Sequence, residues 1–246
     1  RAALADAQGN DRLAAVTVVV PTNTCGVMAR RALGRAGGIA AVDMVTLNRL
    51  AELIAGPQLA ASGRSPLSTP VIEMAITSIL ANDPGPFGVV ATHPSTVTAV
   101  RRLHTELRMA DPDDVAKLSE QSLRGRQVRR ISDAVIQALQ SDWYDEADLL
   151  TIATALVAEQ MPTGLRRVVL HLPDELTGRA IGFVRAMAVH IDVHIVLQST
   201  GVEAVDATAW SLIEAVGATV DDHSNGHSND HSPLPRPVEI VSTTDA

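Results

Sequence analysis

At 246 residues with 46% apolar content, the chain has the material to bury a core. Its 28 acidic against 20 basic residues (net charge −8) exclude a globally basic nucleic-acid binder and confine any DNA contact to local patches. Aromatics at 2% exclude binding by rows of stacked bases, and a lone cysteine, Cys25, excludes an internal disulfide.

In chain order, Val16–Val20 is a β-branched run of the kind buried on both faces of a parallel sheet. It stops at Pro21, and TNTCGVMARRAL then opens a helix for which Thr22, Asn23 or Thr24 can serve as N-cap. GRAGG (34–38) reads as a helix stop. A second strand, Val42–Thr46, leads into the helix LNRLAELIA, predicted to end at Gly56-Pro57.

From Pro66 to about Glu159 strands disappear, and helices are predicted over Thr69–Ala81, Pro94–Arg108, Asp111–Gln121, Arg124–Gln140 and Asp145–Glu159. Pro-Gly-Pro at 84–86 and HPST at 93–96 supply breaks and a cap. Strands resume at Val168–Leu172 and Asp192–Ser199, followed by helices over Asp174–Val189 and Val205–Val216. This alternation predicts an α/β fold with a mostly parallel sheet flanked by helices.

Residues 221–237, polar and broken by Pro and Gly, read as a flexible linker, and VEIVS (Val238–Ser242) as the first strand of a following domain. The predicted organisation is an α/β core over 1–65 and 160–220, an all-helical insertion over 66–159, the linker, and a truncated strand over 238–246. A start at Arg1 and a stop at Ala246 suggest a fragment of a longer chain. No apolar run approaches the ~18 residues that span a bilayer, and the Ala-rich start lacks signal-peptide order, so a soluble, cytoplasmic protein without membrane contact is expected.

A phosphate-gripping nucleotidase needs a glycine-rich turn and a lysine on the outer phosphates, and no such motif occurs; the only lysine, Lys117, sits among the predicted helices. A magnesium carboxylate is also missing where Val168–Leu172 ends in His171 and Leu172. Asp174 and Glu175 follow at a helix start, where capping competes with metal binding as their role. Thr22, Asn23 and Thr24 are candidates to present hydroxyls, an amide and a helix N-terminus to a backbone phosphate, against the plainer reading of a capped helix. Cys25 reads as a small apolar residue rather than a nucleophile.

Arg101, Arg102 and Arg108, then Arg124, Arg126, Arg129 and Arg130, form two clusters that are either solvated helix faces or a phosphate track. His223, His227 and His231 recur every fourth residue beside Asp221, Asp222 and Asp230. That spacing suits zinc on a helix, but Gly226 and the Ser/Asn content favour a linker. No catalytic constellation is identifiable.

Taken in order, these segments resemble the first RecA-like domain of UvrD-type superfamily 1 helicases, above all their AddB-like relatives fused to PD-(D/E)XK nucleases in actinobacteria. VTVVVPTNTCGVMARRAL resembles the segment after the Walker A helix, whose Thr/Pro-rich turn touches single-stranded DNA, which makes Thr22, Asn23 and Thr24 the DNA-facing residues. TLNRLAELIA and DWYDEADLL are similar to the family's T-x-x-x-L-A helix and to the D-F-x-D-L-L that closes its helical insertion. RRVVLHLPDELTGRAIGFVRAMA occupies the Walker B position but lacks the Asp-Glu pair, as AddB-like chains do.

The resemblance implies a P-loop-NTPase-like core serving as a non-hydrolysing, DNA-binding or scaffolding module of a repair or recombination helicase-nuclease. Its partners would be single-stranded or duplex DNA, other domains of the same chain and a helicase-nuclease partner subunit. ATP and magnesium are implied only if a phosphate loop precedes Arg1. The alternatives are an active ATP-dependent helicase domain whose loop lies upstream, and a stand-alone α/β interaction domain.

Overall fold

A computed structural model describes residues 2–11, 13–36, 38, 40–171, 176–197, 202–218 and 239–242. The first elements are α1 (Ala2–Gln8), β1 (Val16–Val19), α2 (Asn23–Arg35), β2 (Val42–Val45) and α3 (Leu47–Ala61). Next come β3 (Ser65–Pro66), α4 (Thr69–Asn82), a 3-10 helix (Gly85–Val90), α5 (Pro94–Met109), α6 (Pro112–Gln121), α7 (Leu123–Leu139) and β4 (Trp143–Tyr144). The chain closes with α8 (Glu146–Glu159), β5 (Arg167–His171), α9 (Gly178–Ala188), β6 (Asp192–Leu197), α10 (Glu203–Val216) and β7 (Glu239–Ser242).

The fold is α/β. It divides into one unit of Arg1–Ile54, Ile152–Leu176 and Ala180–Ala246, and another of Ala55–Thr151 and Thr177–Arg179. The divisions at 54/55 and 151/152 fall inside α3 and α8.

The first unit holds a five-stranded sheet of order β2-β1-β5-β6-β7, every neighbouring pair parallel. The β-branched run is buried on both sides, as a central parallel strand requires. Val16, Val18 and Val20 pack in one cluster with Ala7 of α1, Val169 and Val196. Val19, Val168, Leu170 and Ile195 are buried as well. α9 buries Ala180, Phe183, Val184 and Met187, a helical i, i+3, i+4, i+7 stripe. In the second unit Ile72, Ile76 and Leu80 of α4 pack with Ala91 and with Ile131 and Val135 of α7.

Several expectations are corrected. The helix predicted to stop at Gly56-Pro57 runs on to Ala61 with Pro57 inside it. Proline there removes the bond to the carbonyl of Leu53, but Leu53 is 55% exposed, so water can satisfy that carbonyl. Burial of Leu50, Ala51, Ala55 and Leu59 on one helix face offsets the loss.

The segment read as free of strands contains β3 and β4, paired Ser65 to Trp143 and Pro66 to Tyr144. Two residues carry no periodicity, and the pair is held by Arg64, next to β3 in sequence, which bonds the Trp143 carbonyl 79 residues away. Gly178 opens α9, with Leu176 and Thr177 outside the helix, so the predicted start at Asp174 comes too early. A Cβ on Gly178 would lie 2.4 Å from the Asp111 backbone nitrogen, a close approach that only glycine permits. Glu239–Ser242, within the segment read as the first strand of a following domain, forms β7 at the sheet edge beside β6.

Leu172, Asp174 and Glu175 lie outside the described residues, as do the linker 221–237 with His223, His227 and His231. Among the described residues no helix is long and apolar enough to cross a membrane.

Candidate nucleic-acid interface

β1 is followed by β2 on one side and lies against β5 on the other, so the strand order reverses at β1. Crevices at the carboxyl ends of strands beside such a reversal are where parallel α/β sheets receive ligands. The residues at this one are Pro21, Thr22, Asn23 and Thr24 after β1, and His171 at the end of β5.

Thr22 is the N-cap of α2. Its φ of −140° and ψ of 157° are extended, and its Oγ1 accepts from the Cys25 backbone N–H at 3.2 Å. That bond occupies an acceptor site of the hydroxyl and leaves its proton free to donate. Thr22, Asn23 and Thr24 are all exposed, and the first turn of α2 carries no acidic residue. Gly26 explains how α2 comes so close to the sheet: a Cβ there would stand 3.3 Å from Val20 Cγ2 and 3.6 Å from Met44 Cβ. Cys25, half-buried, packs against the Val16–Val18–Val20 cluster, in keeping with its reading as an apolar residue. His171 is half-buried, and burial pushes its pKa below the ordinary histidine value, so it stands at neutral pH as an uncharged imidazole.

The arginine clusters lie in the other unit, and the structure sorts them. Arg101 pairs with Glu73 at 3.0 Å, Arg102 with Glu106 at 3.3 Å and Arg129 with Asp133 at 3.5 Å. Arg130 pairs with Asp83 and bonds Gln127. Arg124 and Arg126 are exposed and make no ion pair or hydrogen bond with any described residue. The phosphate candidates with an unspent charge are therefore Arg124 and Arg126. The exposed pairs are weak, worth ~1 kcal/mol or less, and a phosphate can displace the carboxylate.

Sequence reading missed a polar network centred on Arg108. Its Nε donates to Asp145 Oδ2 at 2.8 Å and its Nη2 to Asp145 Oδ1 at 2.9 Å and Asp148 Oδ1 at 2.6 Å. Arg64 Nη2 donates to Asp148 Oδ2 at 2.8 Å and to the Trp143 carbonyl at 2.7 Å, which fastens β4 beside β3. Asp145 and Asp148 also cap α8 reciprocally: the Asp148 N–H donates to Asp145 Oδ1 at 2.8 Å and the Asp145 N–H to Asp148 Oδ2 at 3.2 Å.

Burial opposes the charge on Arg108, but Asp145 and Asp148 outweigh it and raise its pKa above the ordinary value. Burial likewise opposes the Asp145 carboxylate, and the Arg108 bonds outweigh it and hold the carboxyl below the usual range. Arg179 donates through Nη1 to Thr151 Oγ1 at 2.7 Å and through Nε to the Arg108 carbonyl. The D-x-x-D spacing before Leu149-Leu150 is the signal that could have disclosed the cap, though not the arginines.

His104 is buried beside this network. Its Nδ1 lies 2.8 Å from Ser132 Oγ, and burial lowers its pKa to about 4. Among the described residues no group of His, Cys, Asp and Glu side chains is placed to hold a metal ion. No protein-family model matches the chain, and no curated protein matches it.

Proposed function

We propose that the chain is a helicase-like module that binds or scaffolds DNA within a repair or recombination helicase-nuclease. In this reading its sheet is a P-loop-NTPase-like core, the unit around α4–α7 is a helical insertion, and it holds single-stranded DNA without hydrolysing ATP. The observation that supports the reading best is the exposed Thr22-Asn23-Thr24 turn, capping α2 at the carboxyl end of β1 where the strand order reverses. Hydroxyl and amide donors beside a helix N-terminus with no acidic neighbour suit a backbone phosphate. Arg124 and Arg126 would add phosphate contacts from the helical unit.

The test is fluorescence anisotropy of a labelled single-stranded oligonucleotide across a salt series. Affinity that falls steeply with salt, and falls again in Asn23→Asp, supports the reading; salt-independent or absent binding overturns it. A stand-alone interaction domain is the second reading, favoured by the ion pairing of Arg101, Arg102, Arg129 and Arg130 within their own unit.

A further inference from the structure

A half-open cleft of about 370 Å³ lies between α5, α7 and the 3-10 helix. Its walls are mainly apolar, formed by Phe87, Val90, Val100, Leu103, Val128 and Ile131, with Ser95 and Thr96 the uncharged polar residues of the lining apart from the His104–Ser132 pair. Its floor is the His104–Ser132 pair, whose members are 3% and 5% exposed and are joined through His104 Nδ1 by a 2.8 Å bond. Buried His104, its pKa lowered to about 4, brings no charge at neutral pH. Arg124 lines the same cleft, exposed and without a carboxylate or hydrogen-bond partner among the described residues.

We propose that this cleft binds a small amphiphilic carboxylate, an acyl chain lying on the apolar wall with its carboxylate on the Arg124 guanidinium. The volume holds about a dozen non-hydrogen atoms at ~30 Å³ each, the size of a ten-carbon acid. A ligand polar throughout, or dianionic, would leave most of its oxygens against Val100, Leu103 and Ile131, and two hydroxyls, of Ser95 and Thr96, are too few to repay their desolvation. An uncharged hydrocarbon would leave Arg124 unused. The single cation at an apolar cleft selects an acid with a hydrophobic tail. This inference does not rest on the DNA reading.

The test titrates decanoate, below its micelle concentration, into the full 246-residue chain and follows backbone amide resonances. Saturable shifts confined to α5, α7 and the 3-10 helix are expected. Arg124→Ala should weaken decanoate about tenfold while leaving decanol, which lacks the charge, unchanged. Ala99→Trp, which fills the cleft from its wall, should abolish both; Ser95→Trp at the rim replaces it if that variant does not fold. Shifts scattered over the surface, no saturation, or equal decanoate affinity in Arg124→Ala would each overturn the proposal.

Discussion

Arg108 and Asp145 meet in a bidentate pair, with both guanidinium–carboxylate bonds between 2.8 and 2.9 Å and the arginine side chain only 13% exposed. They are 37 residues apart in sequence, so the pair ties α5 to the start of α8. Asp148 and Arg64 extend it to β3 and β4, and the second unit is organised around a polar clasp beside its apolar core.

Removing the arginine strands the Asp145 carboxylate in a mostly buried position and leaves Asp148 with Arg64 as its only cation among the described residues. Arg108→Met should destabilise the protein by about 3 kcal/mol. Urea unfolding followed by circular dichroism would show it as a lowered midpoint with the slope unchanged. Asp145→Asn added to this variant should cost less than the two single losses together, because the charges left behind are the main penalty.

The same neighbourhood predicts an acid limb of stability. His104 has a folded pKa of about 4, below its ordinary 6.5, so between those values the unfolded chain binds a proton that the folded chain refuses. Stability from this group is full above about pH 6.5 and declines as pH falls toward 4, by about 3 kcal/mol in all. Asp145, also depressed, adds a further loss at lower pH, as its carboxylate becomes protonated. The charged groups acting on His104 are Asp145, Arg108, Asp133 and Asp148. His104→Asn, which can keep a bond to Ser132, should flatten the limb between pH 6.5 and 4 and leave the lower one. Denaturation midpoints measured across pH would check this, and an unchanged limb would refute it.

Gly125 marks a contact no larger residue can enter. A Cβ there would lie 2.4 Å from the Leu118 carbonyl oxygen, with backbone on the other side of the clash. Gly125→Ala should therefore separate α6 from α7 and cost about 1–3 kcal/mol. Hydrogen exchange should rise in those two helices while β1 and β5 keep their protection.

At the β1–α2 turn, stability and binding should separate. Thr22→Ala removes the bond to the Cys25 N–H and should cost ~1 kcal/mol. Asn23→Asp places a negative charge at a helix N-terminus, which stabilises or leaves stability unchanged, yet repels phosphate. A thermal melt that holds steady while oligonucleotide affinity drops would distinguish a DNA contact from a capping role.

Much of the local structure was legible beforehand. The helices at Thr69, Pro94 and Pro112 begin where capping residues and prolines announce them, and Val16–Val19 is the strand its β-branched run implies. Such features depend on neighbours a few residues away, so sequence by itself determined where most elements lie and that the sheet is parallel. Tertiary structure alone decided that α3 continues through Pro57, that Arg64 reaches a carbonyl 79 residues away to hold β4, and that β7 joins β6. It also decided which arginines keep an unspent charge and that His104 is buried on Ser132. The reason is physical: burial and ion pairing are properties of distances between residues far apart in the chain, and no periodicity along the chain encodes them.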